Sequence, residues 1–140
     1  MAESFRIRPA VQADGGFLGD MVVEAANWRG GGARPRHEVT SSAKHSRYLT
    51  GWMRPGDTGF VAEDLRGEPI GAAWYRMLPR SEPGFGWVGT GVPELIIGVR
   101  PIWRVHGVER DNFAVTLYRS EGFAVTQSGL GRDTMVKRLR

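Results

Sequence analysis

PELIIGVRPIWRVHGV (93–108) followed by ERDNFAVTLYRSEGF (109–123) is the stretch on which the fold turns. It opens with a strand, Pro93 to Val99, whose Leu95-Ile96-Ile97 run is apolar on both faces, as for a central strand covered on each side. A turn then leads to Arg104, Val105, His106 and Gly107. The second half supplies Asn112, a short helix over about 112–120 carrying Leu117 and Tyr118, and Gly122 as its C-terminal stop. Only Val108 to Asp111 join the halves. So short a join cannot hold a crossover between neighbouring parallel strands, which takes about a dozen residues or more.

Upstream, the chain alternates between strand and helix periods. Ser4 to Pro9 sets Phe5 and Ile7 against Arg6 and Arg8, the pattern of a half-buried strand. Asp14 is placed to cap the next segment, where Phe17, Leu18, Met21, Val22 and Ala25 recur at helical spacing. Arg29 to Arg36, with three glycines and Pro35, reads as a loop, and a second helix is expected across His37 to Trp52. Pro55-Gly56-Asp57 is turn chemistry. Thr58 to Glu63 and Pro69 to Leu78 read as antiparallel strands, and Gly67 in their turn tolerates a positive φ. Ser81 to Val92, with four glycines and one proline, reads as a loop over an open site. Phe123 to Thr126 and Asp133 to Leu139 form a last strand pair around Gly129-Leu130-Gly131. The expected fold is a mixed α/β (α+β) single domain over 1–140.

A chain of 140 residues can bury an apolar core without staples, and 41% hydrophobic with 24% charged residues argues against disorder. The absence of cysteine excludes disulfides, thiolate metal sites and a cysteine nucleophile, and no metal is expected. MAESFRIRPA has no apolar leader, and no stretch approaches the ~18 apolar residues of a membrane helix. A soluble, cytoplasmic protein with no membrane partner is therefore expected. A net charge of +4 suits either nucleic acid or an anionic small ligand. The arginines are spread, with mild groups only at Arg34 to His37 and Lys137 to Arg140, which disfavours nucleic acid.

FRIRPAVQAD (5–14), Glu24-Ala25-Ala26-Asn27-Trp28, FVAEDLRGEPIGAAWYR (60–76), PELIIGV (93–99) and LYRSEGF (117–123) occur in that order. With Gly71-Ala72 and Glu94, they resemble the Gcn5-related N-acetyltransferase (GNAT) family along nearly the whole chain. The resemblance implies a mixed, mostly antiparallel central sheet flanked by helices. It implies transfer of an acetyl group from acetyl-CoA, as co-substrate, to a primary amine of a small molecule or peptide by direct attack. Such chemistry needs backbone N–H donors for a pyrophosphate, a donor where oxyanion charge grows, a base and an acid. By the resemblance, Ile97, Gly98 and Val99 would face the pantetheine arm, with the Val99 N–H meeting the acyl oxygen. Arg104, Val105, His106, Gly107 and Val108 would form the pyrophosphate turn. Asn112 would touch the cofactor from a second wall, Tyr118 would protonate the leaving thiolate, and Glu94 would be the base, directly or through water.

Plainer readings stand beside these. Tyr118 could be a core or rim residue, Glu94 a solvated strand-edge carboxylate, Asn112 a helix cap and Gly107 a turn glycine. Trp74, Tyr75, Phe85 and Trp87 could line an acceptor pocket or fill the core. The chain also departs from the family pattern. Glu109 stands where the phosphate turn ends in Gly or Ala, placing a carboxylate beside a pyrophosphate. The join between Gly107 and Asn112 lacks a helix-plus-strand step, so the cofactor-binding helix and the strand after it are missing from the expected sheet. That shortening would leave an edge on the strand at 93–99 that invites another chain. Two functions of different class follow: an acetyltransferase, or a catalytically degenerate remnant serving as a binding or dimerisation module, with a homodimer as its assembly.

Overall fold

The structure, a computed structural model, describes residues 5–27, 33–103, 122, 124–129 and 132–136. The chain divides into two compact units, Met1–Trp103 and Arg104–Arg140. In the first, four strands form an antiparallel sheet in chain order: β1 (Phe5–Pro9), β2 (Thr58–Asp64), β3 (Pro69–Arg76) and β4 (Glu94–Val99). Between β1 and β2 run α1 (Gly15–Asn27), α2 (Arg36–Ser41) and α3 (Ala43–Ser46). Among the described residues no helix is long and apolar enough to cross a membrane.

Strand alternation sends one set of side chains to a single face. Val61, Ala72, Trp74 and Ile96 point to the side where α1 packs on β3 and β4, and there they meet Leu18, Met21, Val22, Val39 and Tyr48. Burying each of the larger aliphatic side chains is worth about 1.5–3 kcal/mol, and this is the unit's one core cluster among the described residues. The expected helical stripe of α1 is the buried one. The β2–β3 turn also forms as expected: Gly67 has φ 86°, and the Asp64 side chain accepts from the N–H groups of Arg66 and Glu68 (2.9 and 3.0 Å).

Three expectations change. The helix expected over His37 to Trp52 is two short helices followed by turns, because Ser42 between them is extended (φ −66°, ψ 128°). The preceding Thr40 and Ser41 hydroxyls bond the Arg36 and His37 carbonyls, a local competition that weakens helices rich in such residues. Asp14 does not cap α1 directly. It ends a 3-10 turn, Gln12–Asp14, accepts from the Val11 N–H (2.7 Å), and binds the Arg8 guanidinium through both oxygens (2.8 and 2.9 Å). The Arg8 hydrogen bonds hold its carboxyl below the ordinary aspartate value of 3.8, against an opposing effect of burial.

The third change concerns β4. Among the described residues it pairs with β3 alone, and Leu95 and Ile97 are 47% and 39% exposed. Among the described residues it is therefore the last strand of the sheet, buried on the α1 face and partly exposed on the other, where coverage on both faces was expected. In the second unit, β5 (Ala124–Gly129) pairs antiparallel with β6 (Arg132–Val136), close to the strand pair expected there. The short helix over 112–120 and the short join at 108–111 lie outside the described residues.

Candidate functional site

The site is built where β3 ends and β4 begins. Arg76, last in β3, pairs across the ladder with Glu94, first in β4. Both are buried, and neither answers the other's charge. Arg76 turns to Asp57 in a bidentate pair (Nε to Oδ1 3.0 Å, Nη2 to Oδ2 2.7 Å), and its Nη1 donates to the Arg47 and Thr50 carbonyls (2.9 and 2.7 Å). Guanidinium geometry suits this: a planar fork meets the carboxylate while its outer N–H groups collect free carbonyls. One side chain thus ties β3 to the turns after α3 and before β2.

Glu94 takes its partners from elsewhere. The Tyr48 hydroxyl donates to Oε2 (2.7 Å), the Gly84 N–H to Oε1 (3.0 Å) and the Gly86 N–H to Oε2 (3.2 Å). Between those glycines, the Phe85 N–H donates to the Tyr48 hydroxyl (2.8 Å). A buried carboxylate demands such donors, because leaving it unpaired would cost several kcal/mol. Burial, then the bond to Glu94, push the Tyr48 phenol far above its ordinary value of 10.0, so it stays a neutral donor. Tyr48 is itself fixed by Trp74, whose indole N–H donates to the Tyr48 carbonyl (3.0 Å). The half-exposed Phe85 ring lies 6.4 Å from the Tyr48 ring and 5.1 Å from His45, with the Lys44 ammonium 6.0 Å away. Arg47 donates to the Pro83 carbonyl and Trp87 to the Leu78 carbonyl (3.1 Å), so the loop across 79–92 is anchored at several points.

The other end of β4 has a different character. Arg100 donates its N–H to the Ile70 carbonyl (2.8 Å), which sets the phase of the β3–β4 ladder. Gly98, Ile96 and Glu94 then direct their backbone groups to β3, and Leu95, Ile97 and Val99 direct theirs to the outer edge. Gly98 is small for a packing reason. A Cβ there would come within 2.8 Å of the Met21 Cβ, so its absence lets α1 lie against the strand.

Of the residues singled out in the sequence, Ile97 and Val99 share the outer edge of β4, Gly98 lies under α1, and Glu94 lies at the buried start of the strand. Glu94 is not a solvated edge group. Arg104, Val105, His106, Gly107, Val108, Asn112 and Tyr118 lie outside the described residues. The four aromatics do not make one pocket: Trp74 is 1% exposed in the core, whereas Tyr75 points to the opposite sheet face. Tyr48, Asp57, Arg76 and Gly84 were missed. Tyr48 carried only the signal of a place in the helix expected across His37 to Trp52, and Gly84 that of a loop.

This architecture is that of the GNAT acetyltransferases, a mixed α+β fold with helices against a mostly antiparallel sheet. A histone acetyltransferase HPA2 and related acetyltransferase from Corynebacterium glutamicum is 22% identical with a TM-score of 0.59, over 95% of this chain and 94% of that one. The GNAT domain of S. lividans PAT is 15% identical with a TM-score of 0.56, over 94% of this chain and 88% of that one. A phosphinothricin acetyltransferase from Sinorhizobium meliloti, solved in complex with AcCoA, is 16% identical with a TM-score of 0.52, over 95% of this chain and 85% of that one. No family model matches the sequence, and no curated protein matches it.

Proposed function

We propose that the chain is an acetyltransferase of the GNAT type, moving an acetyl group from acetyl-CoA to a primary amine by direct attack. The observation that supports this best is the shared fold over nearly the whole chain, with β4 presenting an outward backbone edge. The backbone N–H and C=O groups of Ile97 suit an extended, amide-bearing arm, which can pair with a strand edge much as another strand does. In this reading Ile97, Gly98 and Val99 flank the arm, Arg104 to Val108 and Asn112 serve the rest of the cofactor, and acetyl-CoA supplies the activated acyl group. Tyr118 is the acid. Glu94 is the base; its three donors leave one of about four carboxylate lone-pair sites for an acceptor proton or a bridging water.

Titration calorimetry of acetyl-CoA into the full chain tests the reading, followed by thiol release with a panel of primary amines. Micromolar binding and turnover are expected. Tyr118→Phe should then lower turnover by about 10²-fold or more while leaving acetyl-CoA affinity nearly intact. A folded chain that fails to bind at millimolar acetyl-CoA overturns the proposal.

One observation favours a second reading, the degenerate remnant acting as a dimerisation module. Phe60, Tyr75, Leu95 and Ile97 expose apolar surface on one sheet face, next to the outer edge of β4. That reading requires a concentration-dependent dimer in sedimentation, and a strict monomer removes it.

A further inference from the structure

Three consecutive N–H groups, those of Gly84, Phe85 and Gly86, converge on the Glu94 carboxylate and the Tyr48 hydroxyl. The outer two meet the two carboxylate oxygens and the middle one meets the phenol, so the loop backbone and the Glu94–Tyr48 pair satisfy one another. Tyr48 works in both directions, donating to Glu94 and accepting from Phe85. Removing its oxygen would leave a buried carboxylate oxygen and a backbone N–H each short of a partner. The approach is close enough that only glycine fits at residue 84, where a Cβ would collide with both the Glu94 carboxylate and the Tyr48 hydroxyl. The platform beneath is rigid: Trp74 holds the Tyr48 carbonyl, and Arg76 holds those of Arg47 and Thr50.

We propose that Tyr48 is a positioning residue, which through Glu94 and the Phe85 N–H latches the loop across 79–92 in the geometry that shapes the acceptor side. The latch fixes the Phe85 ring beside His45 and Tyr48, and the Tyr48 hydroxyl in turn holds the Glu94 carboxylate. The half-exposed Phe85 face, with the Lys44 ammonium 6.0 Å from it, offers the apolar part of an amine acceptor a surface to pack on. The role in acceptor binding rests on the acetyltransferase reading. The latch itself does not.

Hydrogen exchange and steady-state kinetics on the full chain test it together. Tyr48→Phe keeps the ring and removes the oxygen, while Gly84→Ala attacks the same contact from the loop side. In both variants the amides of 84–86 should exchange about tenfold faster, the scale of one buried hydrogen bond lost, with α1 protected as before. The acceptor KM should rise about tenfold while acetyl-CoA affinity stays the same, a split that general loosening would not produce. Wild-type exchange at 84–86 in Tyr48→Phe overturns the latch. Faster exchange with an unmoved acceptor KM overturns the positioning role. A wild-type chain that turns over no amine overturns that role together with the reading beneath it, and the exchange data then still decide whether the latch exists.

Discussion

The two faces of the β2–β3–β4 sheet are chemically alike and physically opposite. On one, Val61, Ala72, Trp74 and Ile96 are sealed under α1 together with Val39 and Tyr48, and the polar groups that enter, Arg76 and Glu94, are hydrogen-bonded. On the other, Phe60, Tyr75, Leu95 and Ile97 are exposed despite side chains as apolar as those within. Apolar content therefore does not decide which face is the core of this unit. The helices between β1 and β2 decide it, together with Gly98, which lets α1 come close.

Replacing a buried, partnered charge should have the largest effect on that contrast. Arg76→Met leaves Asp57 buried without its fork and strands two carbonyls, and should cost about 3–5 kcal/mol in urea unfolding. A loss near zero would mean that water readily replaces the guanidinium. Ile96→Ala, on the covered face, should cost about 2–5 kcal/mol. Gly98→Ala adds one carbon against Met21 and should cost about 1–3 kcal/mol. An unchanged melting midpoint there would show that α1 shifts freely.

Asp14 sharpens the comparison at the rim. Its folded value lies below the unfolded one, so its contribution is present above pH about 3.8 and is lost as pH falls through the lower folded value. Asp14→Asn should flatten that acid limb of the stability curve and cost about 0.5–1 kcal/mol at neutral pH, the scale of a partly exposed ion pair. An unchanged acid limb would assign it to other carboxylates.

How much of this was legible beforehand depended on the range of the interaction. The β2–β3 hairpin was readable because Asp64 and Gly67 settle their own turn. The α1 stripe was readable because Leu18, Met21 and Val22 share one helical face. Glu94 was singled out by the family resemblance alone, and its surroundings were not legible: its donors come from Tyr48, 46 positions away, and from glycines in a loop. The pairing of Arg76 with Asp57 was likewise invisible, since neither position is close to the other in the chain. Leu95-Ile96-Ile97 misled for a different reason. An apolar run is the same string whether one face is covered or two, and only the neighbouring elements tell them apart. The break at Ser42 had a local cause that was within reach, in hydroxyls placed to bond the turn below.

The smallest expected effect is also the most discriminating. Ile96 and Ile97 are the same residue on the same strand, one facing α1 and the other away. Ile97→Ala should cost clearly less than Ile96→Ala, because a side chain 39% exposed loses less buried area on truncation than one 8% exposed. If Ile97→Ala proves as costly as Ile96→Ala, the outer face is covered in solution, and its concentration dependence would identify a second copy as the cover. If the stability change is small but acetyl-CoA binds several-fold more weakly, Ile97 meets the cofactor through a face that folding does not need. That pair of isoleucines separates what β4 does for the fold from what it does for a ligand.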